Sequence, residues 1–380
     1  MRRDLASSLN SSPMLGRRRL LQLGGLGVAA LGAGGLLSAC GSSSGSGGSS
    51  SGFGALSIQL SWIKNIEFAG EYFADAKGYY AQAGFSGVNL IAGGSAGTSA
   101  EAAVATGKAV MGLSSPTITA PAITKGAALK TIASTYQKNP FCILSLDSNP
   151  IRDVQSLKGK KIGVQSGGNT TIFNGLLAAN GVSPSDLTIV PVQYDPTVVT
   201  TGEVAGYMAY TTNEPILLEA KGFKTVVLSF ADAGLPFVAE TIVVSQHAID
   251  NERDKLKALL VAEIKGWTDA VANPQQSATY AVTQYGKDQN LAQDEQVKEA
   301  TAQNELIVNE DSIKNGLFTM TDAVVEQNLK ALEAMQMPIT ADKMFDLSLL
   351  KEVYTEHPEL ITAFAGAAKS ASAAPTTTSK

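Results

Sequence analysis

The sequence predicts an α/β protein built as two doubly wound lobes, and three observations carry that prediction. Short β-rich runs alternate with amphipathic stretches as far as Ser245, helical periodicity takes over afterwards, and cysteine occurs only at Cys40 and Cys142. Strand and helix in alternation imply mostly parallel sheets with helices on both faces. With no cysteine pair to staple the folded part, stability must come from hydrophobic cores. The chain after Cys40, about 340 residues, is long enough for two cores of ordinary domain size.

Taken in chain order, residues 1–39 read as an export signal. Arg17, Arg18 and Arg19 precede an apolar stretch over 20–37 that ends in small residues, the pattern of a positively charged region, an apolar region and a cleavage site. An uncut anchor helix is the competing reading; the many Gly and Ala residues argue against it. Leu37, Ser38, Ala39 and Cys40 resemble a bacterial lipobox. That resemblance implies a diacylglyceryl group on the Cys40 thiol and a lipid-anchored, extracytoplasmic protein. The arginines resemble a twin-arginine signal, with Sec export the alternative. Residues 40–54 are nearly all Gly and Ser, a tether that cannot bury anything. The tail over 367–380, rich in Ala, Ser and Thr, is expected to be disordered.

Between these ends, strands are predicted at 56–60, 88–91, 109–113, 129–133, 141–146, 161–164, 187–192, 225–230 and 241–245. Helices are predicted at 67–81, 99–106, 117–125 and 170–180. Over 252–272, Leu256, Leu259, Leu260, Ile264, Trp267 and Val271 recur at helical spacing, and 324–335 and 347–354 read as helices too. No internal repeat indicates a solenoid.

The formal net charge is −5 and the basic residues are dispersed, which removes the footprint of a nucleic-acid binder. The chemistry of an enzyme is not gathered either. His247 and His357 stand apart without Cys or His at metal spacing, and Cys142 sits among Phe141, Ile143 and Leu144 as an inert buried thiol would. No cofactor or metal is expected.

Several stretches resemble the periplasmic binding proteins of the thiamine-precursor, nitrate and sulfonate transport group. The opening Leu60, Ser61, Trp62, Ile63, Lys64, Asn65, followed by Gly78, Tyr79, Tyr80, is similar to the group's first strand and helix. Gly107 to Gly112 before Ser114 and Ser115 resemble a strand ending in small hydroxyl residues at a cleft. Residues 157–164 before Gln165, Ser166, Gly167, Gly168, Asn169 and Thr170 resemble the entry into the second lobe, and Asn213, Glu214 and Pro215 a late second-lobe turn. The likeness spans about 56–274.

This resemblance implies a type 2 periplasmic-binding-protein fold whose lobes are joined by a two-strand hinge near Leu146 and Thr241. Lobe 1 is expected at 55–146 and 242–366, lobe 2 at 147–241. It also implies a monomeric, non-enzymatic receptor that delivers a small molecule to an ABC permease. Within the group the likeness points to receptors for the pyrimidine of thiamine biosynthesis, in which an aromatic residue and a tyrosine clamp the ring and a glutamate binds its amino edge. The matching positions are Trp62, Tyr210 and Glu214, with Asn65, Ser114, Ser115, Gly168, Asn169, Thr170 and Asn213 as further contacts. The plain alternatives are a core Trp62, a turn-shaping Glu214, a helix cap at Ser115 and Tyr207 in place of Tyr210. Ligand alternatives are a sulfonate, taurine, nitrate or a riboflavin-like molecule. A pyrimidine-synthase-like enzyme of the same fold is the competing class, and this chain lacks its cysteine cluster.

Overall fold

In the computed structural model, which describes residues 52–94 and 97–373, ten strands form two five-stranded sheets. The first contains β1 (Gly54–Gln59), β2 (Phe85–Ile91), β3 (Met111–Ser114), β4 (Leu129–Tyr136) and β10 (Ala239–Ser245), in the order β2-β1-β3-β10-β4. The second contains β5 (Phe141–Leu146), β6 (Lys161–Gln165), β7 (Thr188–Val192), β8 (Gly206–Tyr210) and β9 (Thr225–Ser229), in the order β7-β6-β8-β5-β9. The expected residues 1–39, the Cys40 lipid site and most of the tether lie outside the described residues.

Each sheet is mixed rather than mostly parallel. β1 runs parallel to β2, with Gln59 opposite Ile91, and to β3, whereas β10 runs antiparallel to β3 and β4. In the second sheet β6 is parallel to β7 and β8, and β5 is antiparallel to β8 and β9. The reversed strands are the two that follow a crossing between the lobes. A strand fed from the other lobe enters from the cleft side, so it runs against its neighbours. This corrects the expected lobe boundary: β5 was expected to finish lobe 1, but Ile143 pairs with Met208 and Leu228 in the second sheet.

Strands β3, β4, β5 and β10 are buried on both faces, and β5, FCILSL, accordingly reads as a nearly continuous apolar run. The first core gathers Phe68, Tyr72, Trp267, Phe318 and Phe364 under the first sheet. The second gathers Phe141, Ile162, Phe173, Phe230 and Phe237. The helix expected over 67–81 is interrupted. Helix Ala69–Ala76 stops and Tyr79–Gln82 restarts after Gly78, whose φ of 70° is cheap only for glycine. Helix Ala69–Ala76 packs on the long helix Arg253–Ala272 with almost no space between backbones. A Cβ on Gly70 would lie 2.1 Å from the Trp267 ring, and one on Gly266 would lie 2.2 Å from the Gly70 carbonyl oxygen.

Residues 367–373 are helical where disorder was expected, and 374–380 of the expected tail lie outside the described residues. Helix Glu359–Ala373 continues through residues expected to be disordered, because alanine is the best helix former and Phe364 and Ala368, one turn apart, are both buried. Helix Asp322–Ala334 joins the two halves. Ala331 and Met335 belong to the second core, whereas Leu332 packs with Ala120 and Met344 beside the first sheet. Among the described residues no helix is long and apolar enough to cross a membrane.

Candidate functional site

The parallel strands of both sheets point their carboxyl ends at one cleft, where open α/β sheets place their ligands. β1 runs out into Leu60, Ser61 and Trp62, β3 into Ser115, β6 into Ser166 and Gly167, and β8 into Thr212 and Asn213. All of these residues line a single cavity of about 170 Å³.

Local sequence explains each approach. Asn65 caps the short turn Ile66–Phe68 by accepting from the Glu67 amide at 3.0 Å. Ser115 caps helix Pro116–Thr124, with Pro116 at a first-turn position where its missing N–H costs nothing. Gly167, at φ 88°, turns β6 into helix Gly168–Ala179. A Cβ on Gly168 would lie 2.5 Å from Ile118 Cδ1 and would push that side-chain tip aside. Ile118 belongs to a helix under the first sheet, so glycine lets the two lobes meet.

Of the residues singled out in the sequence, Trp62, Asn65, Ser114, Ser115, Gly168, Asn169, Tyr210, Asn213 and Glu214 border the cavity together. Thr170 does not border it; its hydroxyl donates back to the Gln165 carbonyl at the end of β6. Tyr207 is excluded as well. Three residues apart on a strand, Tyr207 and Tyr210 face opposite sides. Tyr207 is buried in a separate cluster, donating to the Gln193 carbonyl at 2.7 Å, while Tyr210 packs edge-on against Phe141 at 4.7 Å.

Trp62 is half-buried and meets Tyr194 of the second lobe edge-to-face, with ring centroids 5.0 Å apart. Glu214 begins helix Glu214–Ala220 and accepts from the Tyr210 amide at 2.8 Å, so it both shapes the turn and faces the cavity. Burial pushes its carboxyl up to about 7. Asn213 donates across the cleft to Glu299 Oε2 at 2.8 Å.

Four further glutamates on the walls escape a reading of the sequence. Glu67, Glu101, Glu240 and Glu299 join Glu214 around the cavity, all buried. Glu101 accepts from the Ser114 and Thr119 hydroxyls. Glu240, on β10, accepts from Ser61 at 2.8 Å and from the Tyr210 hydroxyl at 3.3 Å, tying one lobe to the other. Its φ of 47° is uncommon for a non-glycine residue. Glu67 and Glu240 lie close enough for each carboxyl to act on the other's ionisation. Burial, then the charge of Glu240, drives Glu67 well above the usual carboxylate range, and burial pushes Glu240 up to about 7. Glu299 is raised by burial and by Glu214, and its Oε1 has no hydrogen-bond partner. The signal that could have found two of them is an acid inside an apolar run: Glu67 between Ile66 and Phe68, and Glu240 between Ala239 and Thr241.

Among the described residues the walls carry no Lys, Arg or His, and none of the five glutamates is ion-paired. No group of three or more His, Cys, Asp or Glu able to hold a metal ion occurs there either. Trp62, Tyr136, Phe141 and Tyr210 add aromatic surface. Such walls offer hydrogen-bond acceptors and ring faces, and repel an anion.

Residues 65–277 match the family described as NMT1/THI5 like. The riboflavin-binding protein RibY of Chloroflexus aurantiacus is 30% identical over 226 residues, which are 58% of this chain. The match spans 64% of that relative's length. Among crystal structures, the periplasmic nitrate-binding protein NrtA of Synechocystis PCC 6803 superposes with a TM-score of 0.60 at 15% identity, covering 81% of this chain and 90% of that one. The periplasmic aliphatic sulphonate-binding protein SsuA of Escherichia coli gives 0.57 at 15% identity, covering 78% and 91%. The fold is thus the two-lobed α/β fold of periplasmic binding proteins.

Proposed function

The chain belongs to the NMT1/THI5-like family, and from that premise we propose that it is the solute-binding lipoprotein of an ABC importer rather than an enzyme. It captures a small planar nitrogen heterocycle, such as the pyrimidine precursor of thiamine, outside the cytoplasm and hands it to the permease. Cys40 carries the lipid that keeps it at the membrane.

The observation that carries the ligand class is a cleft with five buried glutamates, aromatic rings from both lobes and no basic side chain on its walls. A ring amine donates to carboxylates, and a flat ring offers its faces to Trp62 and Tyr210. Stacking supplies about 0.5 to 1.5 kcal/mol per ring beyond burial. A hydrogen bond to a charged acceptor supplies about 1.5 to 3 kcal/mol. A cavity of about 170 Å³ suits a single ring, since one of about 150 Å³ accepts benzene. The same walls disfavour nitrate or a sulfonate, which want cationic or backbone donors.

Contacts already span the cleft at Trp62 with Tyr194, Tyr210 with Glu240, and Asn213 with Glu299. A ligand touching both sides adds to them only when the lobes are together, so it favours the closed state that the permease reads. A second reading, a riboflavin-like ligand, is favoured by the 30% identity to a protein named for riboflavin; a three-ring ligand needs a wider cleft.

Calorimetric titration with an aminopyrimidine thiamine precursor, riboflavin, taurine and nitrate tests the proposal. Tight binding of the aminopyrimidine alone is expected; riboflavin alone would favour the second reading, and binding of only the anions would overturn both.

A further inference from the structure

The cluster of carboxyls does more than supply acceptors. Glu67 faces Glu240, Glu214 and Glu299, together with the Tyr136 and Tyr210 hydroxyls, and no Lys, Arg or His among the described residues lines the cavity with them. A carboxyl buried without a cation is stable only when it is protonated or fully hydrogen-bonded. Glu101 is satisfied by two hydroxyls and Glu240 by two more. Glu299 is not: it is 1% exposed and its Oε1 is an acceptor without a donor on the cavity wall. Glu67 and Glu240 are neighbouring buried carboxyls with no cation between them, so the charge of Glu240 opposes ionisation of Glu67. The charge missing from this arrangement is positive, and the ring faces beside it attract a positive charge too.

We propose that the occupant of the cleft is a cation, a small flat ring with its positive charge spread over nitrogen, and that it binds by displacing a proton from the carboxyl cluster centred on Glu67 and Glu240. This deepens the reading of the cleft as a site for a nitrogen heterocycle and rests on it. The balance is simple. The empty cluster holds protons because like charges and burial oppose ionisation; the arriving cation takes their place, and each proton displaced leaves to solvent.

The sign of the pH dependence follows. Below the raised carboxyl range, protons compete with the cation, so affinity for a permanently charged ring increases as pH rises, by about tenfold per pH unit for one proton released. Once the carboxyls are ionised the dependence flattens. A neutral ring of the same shape displaces no proton and shows no such rise.

Three titrants test this on the intact chain as pH is raised toward about 7, the value to which burial pushes Glu214 and Glu240: para-amino-N-methylpyridinium, its neutral isostere para-toluidine, and an aminopyrimidine. The cation should outbind the isostere at pH 7 and tighten as pH rises, with proton release seen as a dependence of the binding heat on the buffer's ionisation enthalpy. Glu299→Gln should weaken the cation more than the isostere, with an unchanged unfolding temperature confirming the fold. Equal affinity of cation and isostere, or a cation affinity independent of pH, would overturn the inference. Aminopyrimidine binding without cation binding would overturn it too while leaving the proposed function standing. If no ring of either charge binds, both fall.

Discussion

Trp62 stands at the end of β1 with one edge on the first core and its ring against Tyr194. Because it is half-buried, truncation should remove more from binding than from folding. Trp62→Ala is expected to weaken the aminopyrimidine by about 1 to 3 kcal/mol, on the scale of a lost base stack, with little change in unfolding temperature; calorimetry and thermal unfolding separate the two. A large fall in stability without a binding defect would make Trp62 a core residue. Residues such as Trp62, Ser114, Tyr210 and Glu214 are legible in the sequence through the family resemblance, and the fold brings all four to one cavity. Glu240 is not legible in that way. It lies within β10 at a backbone conformation that no local pattern announces, and only pairing with distant strands brings it beside Ser61 and Tyr210.

At the level of elements, the pairing of helix Ala69–Ala76 with helix Arg253–Ala272 depends on Gly70 and Gly266 keeping the backbones close. Gly70→Ala would drive a methyl group into the Trp267 ring and is expected to cost about 1 to 3 kcal/mol, the usual penalty of overpacking, read as a lower unfolding midpoint in urea. The same interface buries two acids. Tyr80 donates to Glu263 at 2.6 Å and Trp267 to Glu71 at 3.4 Å, while the second oxygen of each carboxyl has no partner. Burial pushes Glu263 up from an ordinary 4.5 to about 8, and burial with the charge of Glu263 raises Glu71. The folded chain therefore holds protons that the unfolded chain has released. Stability is full below about 4.5 and declines as pH rises toward about 8. Each such proton contributes a slope of up to about 1.4 kcal/mol per pH unit. Denaturation of the ligand-free protein should show this decline, and Glu263→Gln should make it shallower; an unchanged slope would mean that Glu263 is ionised in the fold. Periodicity reveals the long helix through Leu256, Leu260, Ile264, Trp267 and Val271. It conceals the acids, because a glutamate on a helix ordinarily marks the solvent face.

For the whole molecule, the alternation of strands and helices anticipates an α/β architecture, the chain length anticipates two cores, and the family resemblance supplies the two-lobed topology. The crossing points are harder to place. Phe141 to Leu146 is as apolar as any first-sheet strand, and its allegiance is decided by partners more than sixty residues downstream. The proposed anchoring is a property of the entire chain too. Cys40→Ser should move the protein from the membrane fraction to the soluble fraction of cells; retention on the membrane would favour an uncut anchor helix.

Helix Asp322–Ala334 sets a condition on any wider gape between the halves. Leu332 is seated beside the first sheet and Met335 rests on Gly175 in the second, where a methyl group in place of hydrogen would strike the thioether. That seam is thus an oily bearing with a pliable side chain set on a bare patch of backbone. Parting the halves would have to slide that bearing or wet it.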